Sequence, residues 1–194
     1  MRVVFLGPPG SGKGTQARRL AERLAVPDIS TGDILRDAVR RGTPLGKRVQ
    51  GVMERGDLVS DETMIELVRE RLADADARPG WVLDGFPRTV AQALALEKIL
   101  AGNGKDISGV VNLSVPESVL EERLRGRSGA ENRADDRPDA VRERLLVYHE
   151  KTEPLIQFFR DRGLLAEVPG VGEISEISDR IDRALAARRS QGAA

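Results

Sequence analysis

Residues 2–15 join a short apolar run, Arg2-Val3-Val4-Phe5-Leu6, to a glycine-rich turn and then to a helical pattern. No other feature constrains the chain as much. The turn reads Gly7-Pro8-Pro9-Gly10-Ser11-Gly12-Lys13-Gly14-Thr15. Backbone N–H groups cradle a phosphate only where no side chain blocks the approach. Glycine at 7, 10, 12 and 14 removes the obstacle and permits positive φ. A helix starting near Lys13 adds its positive N-terminal end to the same place. Lys13 reaches the β- and γ-phosphates, and Thr15 can support Mg²⁺. A nucleoside triphosphate site built from Gly10, Ser11, Gly12, Lys13, Gly14 and Thr15 is therefore expected. A glycine-rich turn with no ligand is the plain alternative, and the ordered strand, glycines, lysine and helix argue against it. The general pattern G-x-x-x-x-G-K-S/T puts a hydroxyl at position 14, where this chain has Gly14 and then Thr15.

The 194 residues suit one main domain with a small insertion. Strand-like runs fall at residues 3–6, 81–83, 110–113 and 165–168, with 27–30 as a short fifth. Helical periodicity separates them, at residues 13–25, 89–100, 116–125, 139–160 and 173–187. Pro154 is expected to kink the long fourth helix. Such alternation predicts an α/β fold, a central parallel sheet flanked by helices. Two stretches break the rhythm. Residues 31–72 are helical without a good strand and are punctuated by Gly42, Pro44, Gly46 and Gly56, which predicts a helical insertion. Residues 126–138 are rich in Gly, Arg and Asp without apolar periodicity, which predicts a loop. The last eight residues read as a frayed tail.

Composition excludes several classes. There is no cysteine, so disulfides and cysteine-held zinc are out. Lys plus Arg equals Asp plus Glu at 31 each, so no broad field for nucleic acid or an anionic membrane is present. No apolar stretch approaches the roughly 20 residues of a membrane span. The N-terminus reads as a structural strand and not a cleaved signal. A cytoplasmic protein is expected. No apolar stripe demands a dimer, so a monomer is expected too.

Asp84 follows the run Trp81-Val82-Leu83. An acid at the carboxyl end of a strand beside a phosphate loop commonly orients Mg²⁺ or its waters; otherwise it is a turn aspartate before Gly85. Gly85-Phe86-Pro87-Arg88-Thr89 then sets an arginine at the sheet edge where open α/β folds bind ligands. Ile29-Ser30-Thr31-Gly32-Asp33-Ile34-Leu35-Arg36 opens the insertion, with Thr31 or Asp33 as a candidate helix cap.

Together these segments resemble the adenylate kinase family over nearly the whole chain. Residues 7–16 match its GxPGxGKGTQ loop, 29–36 its ISTGDxLR segment, 83–89 LDGFPRT, and 148–156 YHxxTxPLI. The resemblance implies the P-loop kinase fold, with a core of residues 1–29, 60–126 and 137–194. It also implies a monophosphate-binding insertion at 30–59 and a short lid at 127–136. It implies transfer from MgATP to AMP, giving two ADP. Lys13, Arg88, Arg123, Arg133 and Arg144 would carry the chemistry. The phosphate loop, Arg123, Arg127 and Gly172 would hold ATP. Thr31, Arg36, Asp57, Leu58, Val59, Gly85, Phe86, Pro87, Arg88 and Gln92 would form the AMP site, with Arg133 and Arg144 bridging the nucleotides. Asp84 would act on Mg²⁺ through bound water. In this family Phe86–Pro87 is usually cis. Only residues 128–132 separate Arg127 from Arg133, as in short-lid forms, so no structural zinc is expected.

The nearest rival is a kinase for a pyrimidine monophosphate. Relatives acting on UMP and CMP tend to carry Ala and Asn where this chain has Thr31 and Thr89, which favours AMP. A nucleotide-binding switch without turnover is a rival of another class, but it needs one nucleotide site, whereas Arg36, Arg88 and Gln92 point to a second. His149 stands alone on the long helix and is placed outside the mechanism.

Overall fold

The computed structural model describes residues 1–130 and 138–191, with side chains for 1–124 and 139–188. Five strands form one parallel sheet in the order β2-β3-β1-β4-β5. They are β1 (Arg2–Leu6), β2 (Asp28–Ser30), β3 (Trp81–Asp84), β4 (Gly109–Ser114) and β5 (Leu165–Pro169). A strand covered by helices on both faces must be apolar throughout, and β1 is: Val3, Val4, Phe5 and Leu6 are all buried. Its alternate side chains feed two cores. Val3 and Phe5 pack with Val82, Val111 and Leu113 against α1 (Lys13–Leu24) and α9 (Ile174–Gln191). Val4 and Leu6 pack with Ile29, Leu83 and Val110 toward the opposite layer. That layer holds α2 (Thr31–Arg40), α3 (Pro44–Arg55), α4 (Asp61–Ala73), α5 (Val90–Ala101) and α8 (Pro154–Asp161). Trp81, Phe86, Leu96, Leu155 and Phe159 close the second core. Each such buried side chain contributes about 1.5–3 kcal/mol.

Strand order reverses about β1, whose neighbours are β3 and β4. The crevice beyond its carboxyl end is the switch point where doubly wound sheets bind ligands. The chain leaves β1 directly into residues 7–12, so the fold delivers the glycine-rich turn to that crevice.

Residues 31–73 hold three helices, α2, α3 and α4, where the sequence showed only helical patterns. Gly42 (φ 63°) and Gly56 (φ 86°) take left-handed conformations at the ends of α2 and α3, and Pro44 opens α3. Four expectations need correction. The cap of α2 is Ser30, whose hydroxyl accepts from the Asp33 N–H at 3.3 Å; neither Thr31 nor Asp33 caps it. The long helix expected from 139 to 160 is divided: α7 (Pro138–Val147), a π-helical turn over Tyr148–Thr152, then α8, in which Pro154 occupies the first turn and does not kink a continuous helix. Residues 126–130, read as loop, continue α6 (Glu117–Ala130), while 131–137 lie outside the described residues. Nor does the last helix fray at 187. It runs to Gln191, and the Arg188 guanidinium donates to the Leu165 carbonyl at 3.1 Å and to that of Gly163, tying its end to β5.

Two glycines of α3 separate packing from helix propensity. At Gly46 a Cβ would lie 2.0 Å from the Ala38 carbonyl oxygen, because α2 and α3 touch there. At Gly51 a Cβ would meet only the Arg55 guanidinium, at 3.5 Å. Gly46→Ala should destabilise the protein by about 1–3 kcal/mol, and Gly51→Ala should stabilise it by about 0.5–1 kcal/mol. Denaturant titration of the two variants checks both signs.

Asp28, at the start of β2, has its Oδ1 buried with no hydrogen-bond partner among the described residues. Burial first, and the neighbouring Asp84 charge second, push its carboxyl up to about 6. A raised folded-state pKa means stability present below the unfolded value and lost as pH climbs through the folded one. Asp28→Asn should therefore melt above the parent at pH 8, with the gain shrinking progressively toward pH 4. Thermal melts across that range test it.

Candidate active site

Lys13 is drawn back over its own loop. Its ammonium donates to the carbonyls of Gly7 at 2.7 Å and Pro8 at 2.8 Å. Gly12 stands at the N-cap of α1 with φ 91° and supplies no capping side chain, so the first-turn N–H groups of α1 have none from that position. Gly7 is needed for a different reason: a Cβ would lie 2.7 Å from the Leu113 carbonyl oxygen of β4. Gly14, where other loops carry Ser or Thr, faces β3; its absent Cβ would sit 3.5 Å from Asp84 Oδ2. Asp84 Oδ1 is buried and has no hydrogen-bond partner among the described residues. A carboxylate left so has acceptor capacity to spare, which fits a role toward a hydrated cation.

An open cleft of about 1070 Å³ runs from this loop along the sheet edge. Its walls include Gly10, Gly12, Lys13, Gly14, Thr15, Asp84, Gly85, Arg36, Arg88, Arg123 and Arg144, so five of the expected cationic side chains come from five separate segments. Arg123 reaches back to the Ser11 carbonyl at 3.5 Å. Arg18, on the outer face of α1, joins the same wall. The sequence reading missed it; its place one turn beyond Thr15 was the available signal.

A second cavity, about 570 Å³, opens between the insertion and the Gly85–Arg88 turn. It gathers Thr31, Arg36, Asp57, Leu58, Val59, Gly85, Arg88, Gln92 and Arg144. Thr31 is buried, and its hydroxyl donates to the Asp84 carbonyl at 3.3 Å. Gly85 has φ 81°, and a Cβ there would crowd Thr31 Oγ1 at 2.7 Å. Arg88 is held through three groups. Its Nε donates to the Gly85 carbonyl at 2.9 Å, its backbone N–H donates to Gln92 Oε1 at 2.8 Å, and its carbonyl accepts from Thr152 at 2.9 Å. Arg36 pairs with Asp33 at 2.7 Å. A third cavity, about 520 Å³, joins the two regions; Lys13, Pro87, Arg88, Arg144 and Thr152 line it.

Not every expected residue faces these spaces. Phe86 lies in the core with no exposure, so it supports the turn from beneath and does not line the cavity. The Phe86–Pro87 bond is cis. Gly172, at φ 124° on the loop between β5 and α9, lines none of the three cavities. Thr89 caps α5, accepting from the Gln92 N–H at 3.2 Å, and donates to Asp61 at 3.0 Å; it too is absent from the cavity walls. The side chain of Arg127 and the whole of Arg133 lie outside the described residues. Asp61 and Thr152 were given no role from sequence, since each acts through a contact made only in the fold. His149 pairs with Glu153 at 2.8 Å on the exposed side of the π turn. Burial, then the Glu153 charge, pushes the neighbouring Tyr148 up to about 12, so its hydroxyl stays neutral.

Among the described residues no helix is long and apolar enough to cross a membrane, and no group of three or more acids and histidines could hold a metal.

The arrangement can hold one polyphosphate on the loop beside Arg123 and a second anion on Arg36 and Arg88, with Arg144 lining both spaces. Comparison with known proteins points the same way. The family profile described as Adenylate kinase matches residues 5–164. A protein named adenylate kinase from Xylella fastidiosa (strain M12) is 53% identical over 185 residues, covering 95% of this chain and 99% of its own length. Adenylate kinases from Xanthomonas campestris pv. campestris (strain 8004) and Xanthomonas axonopodis pv. citri (strain 306) are 52% and 51% identical over the same shares. A profile covering most of the chain and relatives matched almost end to end agree with the two-sided cationic cleft, and the chain belongs to the adenylate kinase family.

Proposed function

We propose that this enzyme moves the γ-phosphoryl group of ATP to the phosphate of AMP, giving two ADP, in the cleft between the phosphate loop and the insertion. The observation that carries the reading is the convergence of Lys13, Arg36, Arg88, Arg123 and Arg144 on one cleft with two sides. A phosphate oxygen of AMP attacks the γ-phosphorus, the bond from that phosphorus to the bridging β–γ oxygen breaks, and the electron pair leaves on ADP. AMP arrives largely ionised at neutral pH, so no general base is required. Catalysis then rests on in-line placement and on meeting charge that spreads over the transferring group.

Residues 10–15 and Lys13 are assigned to the ATP phosphates, with Arg123, Arg127 and Gly172. Thr31, Arg36, residues 57–59, Gly85, Arg88 and Gln92 are assigned to AMP, and Arg133 and Arg144 to the bridge. Mg²⁺ bound with ATP supplies charge neutralisation at the phosphates, and Asp84, with its spare buried oxygen, is the residue to hold its water. The insertion (30–59) and short lid (127–136) are proposed to close on the core and exclude water. Gly56 of the insertion already abuts α7, where a Cβ would lie 2.6 Å from the Ala140 carbonyl. A cytoplasmic monomer is the proposed working form.

Thr31 on the cavity wall favours AMP over a pyrimidine acceptor. Thr89, the other residue weighed for that choice, does not line the cavity and touches it through the Gln92 N–H and through Asp61.

Lys13→Ala should lower turnover at least about a hundredfold, the scale of losing one donor aimed at transition-state charge, with native circular dichroism. Turnover within tenfold of the parent would remove Lys13 from the mechanism. Arg88→Ala should weaken AMP binding in calorimetry while ATP binding is kept; loss of ATP affinity with AMP unaffected would reverse the assignment of the two sides.

A further inference from the structure

Gln92 is buried in the wall of the acceptor cavity, and both ends of its amide are committed. Its Oε1 accepts from the Arg88 backbone N–H at 2.8 Å, and its Nε2 donates to Asp61 Oδ1 at 2.7 Å. A backbone N–H can only donate and an ionised carboxylate can only accept. The amide therefore has one allowed orientation, fixed by chemistry from both sides. Asp61 is fastened in turn by the Thr89 hydroxyl, which donates to its Oδ2 at 3.0 Å. The carboxylate sits in the first turn of α4, next to the cap Ser60, yet both its oxygens are spent on α5 and the residue that caps it.

We infer that Asp61 is a positioning residue that sets the polarity of Gln92 and so selects the acceptor base. The inference rests on the acceptor reading of this cavity. With both bonds made, Gln92 keeps one lone pair on Oε1 and one hydrogen on Nε2. That pattern complements a base edge that offers an amino donor beside a ring-nitrogen acceptor, as adenine does. A base offering a carbonyl acceptor beside an N–H donor, as hypoxanthine, guanine and uracil do, meets like against like. An amide with its other bonds already made cannot turn over to suit it without losing both partners. A site whose buried polar groups are left unpaired rejects the wrong ligand more strongly than poor shape does. The same amide ties base recognition to the phosphate side, because its oxygen holds the backbone of Arg88.

Inosine monophosphate is the probe that isolates this effect, since it keeps the purine size and sugar-phosphate of AMP and inverts the two edge groups. The ratio of kcat/KM for AMP to that for inosine monophosphate is measured with the full chain, MgATP saturating, in the parent, Asp61→Ala and Asp61→Asn. In Asp61→Ala the ratio should fall about tenfold or more, the equivalent of one hydrogen bond to a charged group, with the KM for ATP held within about twofold. Asp61→Asn keeps the volume and can present either atom to Gln92, so it should fold like the parent and still lose at least about threefold of the ratio. A purely structural role would lower the melting temperature and leave the ratio alone. Either folded variant with the parent ratio overturns the inference. A parent that makes no ADP from AMP refutes instead the acceptor reading beneath it.

Discussion

The ammonium of Lys13, bound to the carbonyls of Gly7 and Pro8, closes the phosphate loop on itself, and the rest of the site is arranged around that closure. A loop so held keeps its backbone close to β4, which is why Gly7 cannot carry a Cβ against Leu113. It also keeps α1 aimed at the crevice beside β1, where strand order reverses. The cost is a concentration of positive charge. Lys13, Arg18, Arg36, Arg88, Arg123 and Arg144 share one cleft. A cleft lined by so many cationic side chains attracts anions, and a nucleotide pair carrying several phosphates is a ligand of the right charge.

The second constraint is the turn at 85–88. Arg88 can grip an anion reproducibly only if its backbone is fixed, and the protein fixes it from three directions. Gly85 accepts from its guanidinium, Gln92 takes its N–H, and Thr152 from the π turn donates to its carbonyl. The π turn thus has a structural consequence: it brings Thr152 to the site while Pro154 starts a fresh helix behind it. Phe86 supports the same turn from the core, so the stretch that the sequence marks as one motif divides into a packing residue and residues that line the cavities.

Much of this was legible before any coordinates. The phosphate loop reads directly because its requirements are backbone requirements, and glycine spacing states them. The parallel sheet reads from continuous apolar runs separated by helical periods. The cap of α2 did not read correctly, because Ser30 and Thr31 are adjacent hydroxyls and only backbone geometry decides which one turns inward. Residues 126–130 and the end of α9 were missed because apolar periodicity is absent there; at the latter the tie is Arg188 to the far end of β5, a contact between residues 23 apart. Asp61 was given no role from the sequence. Its bonds to Thr89 and Gln92 span 28 and 31 residues and exist only once α4 lies on α5.

The two sides of the cleft are proposed to serve one direct transfer. ATP labelled at its γ-phosphorus, mixed with AMP, Mg²⁺ and the protein, tests it. The label should appear as the β-phosphate of ADP, with two ADP formed for each AMP consumed and no inorganic phosphate released. Label recovered as inorganic phosphate with AMP untouched would rule out direct transfer, because the cleft would then bind one nucleotide and pass its phosphoryl group to water.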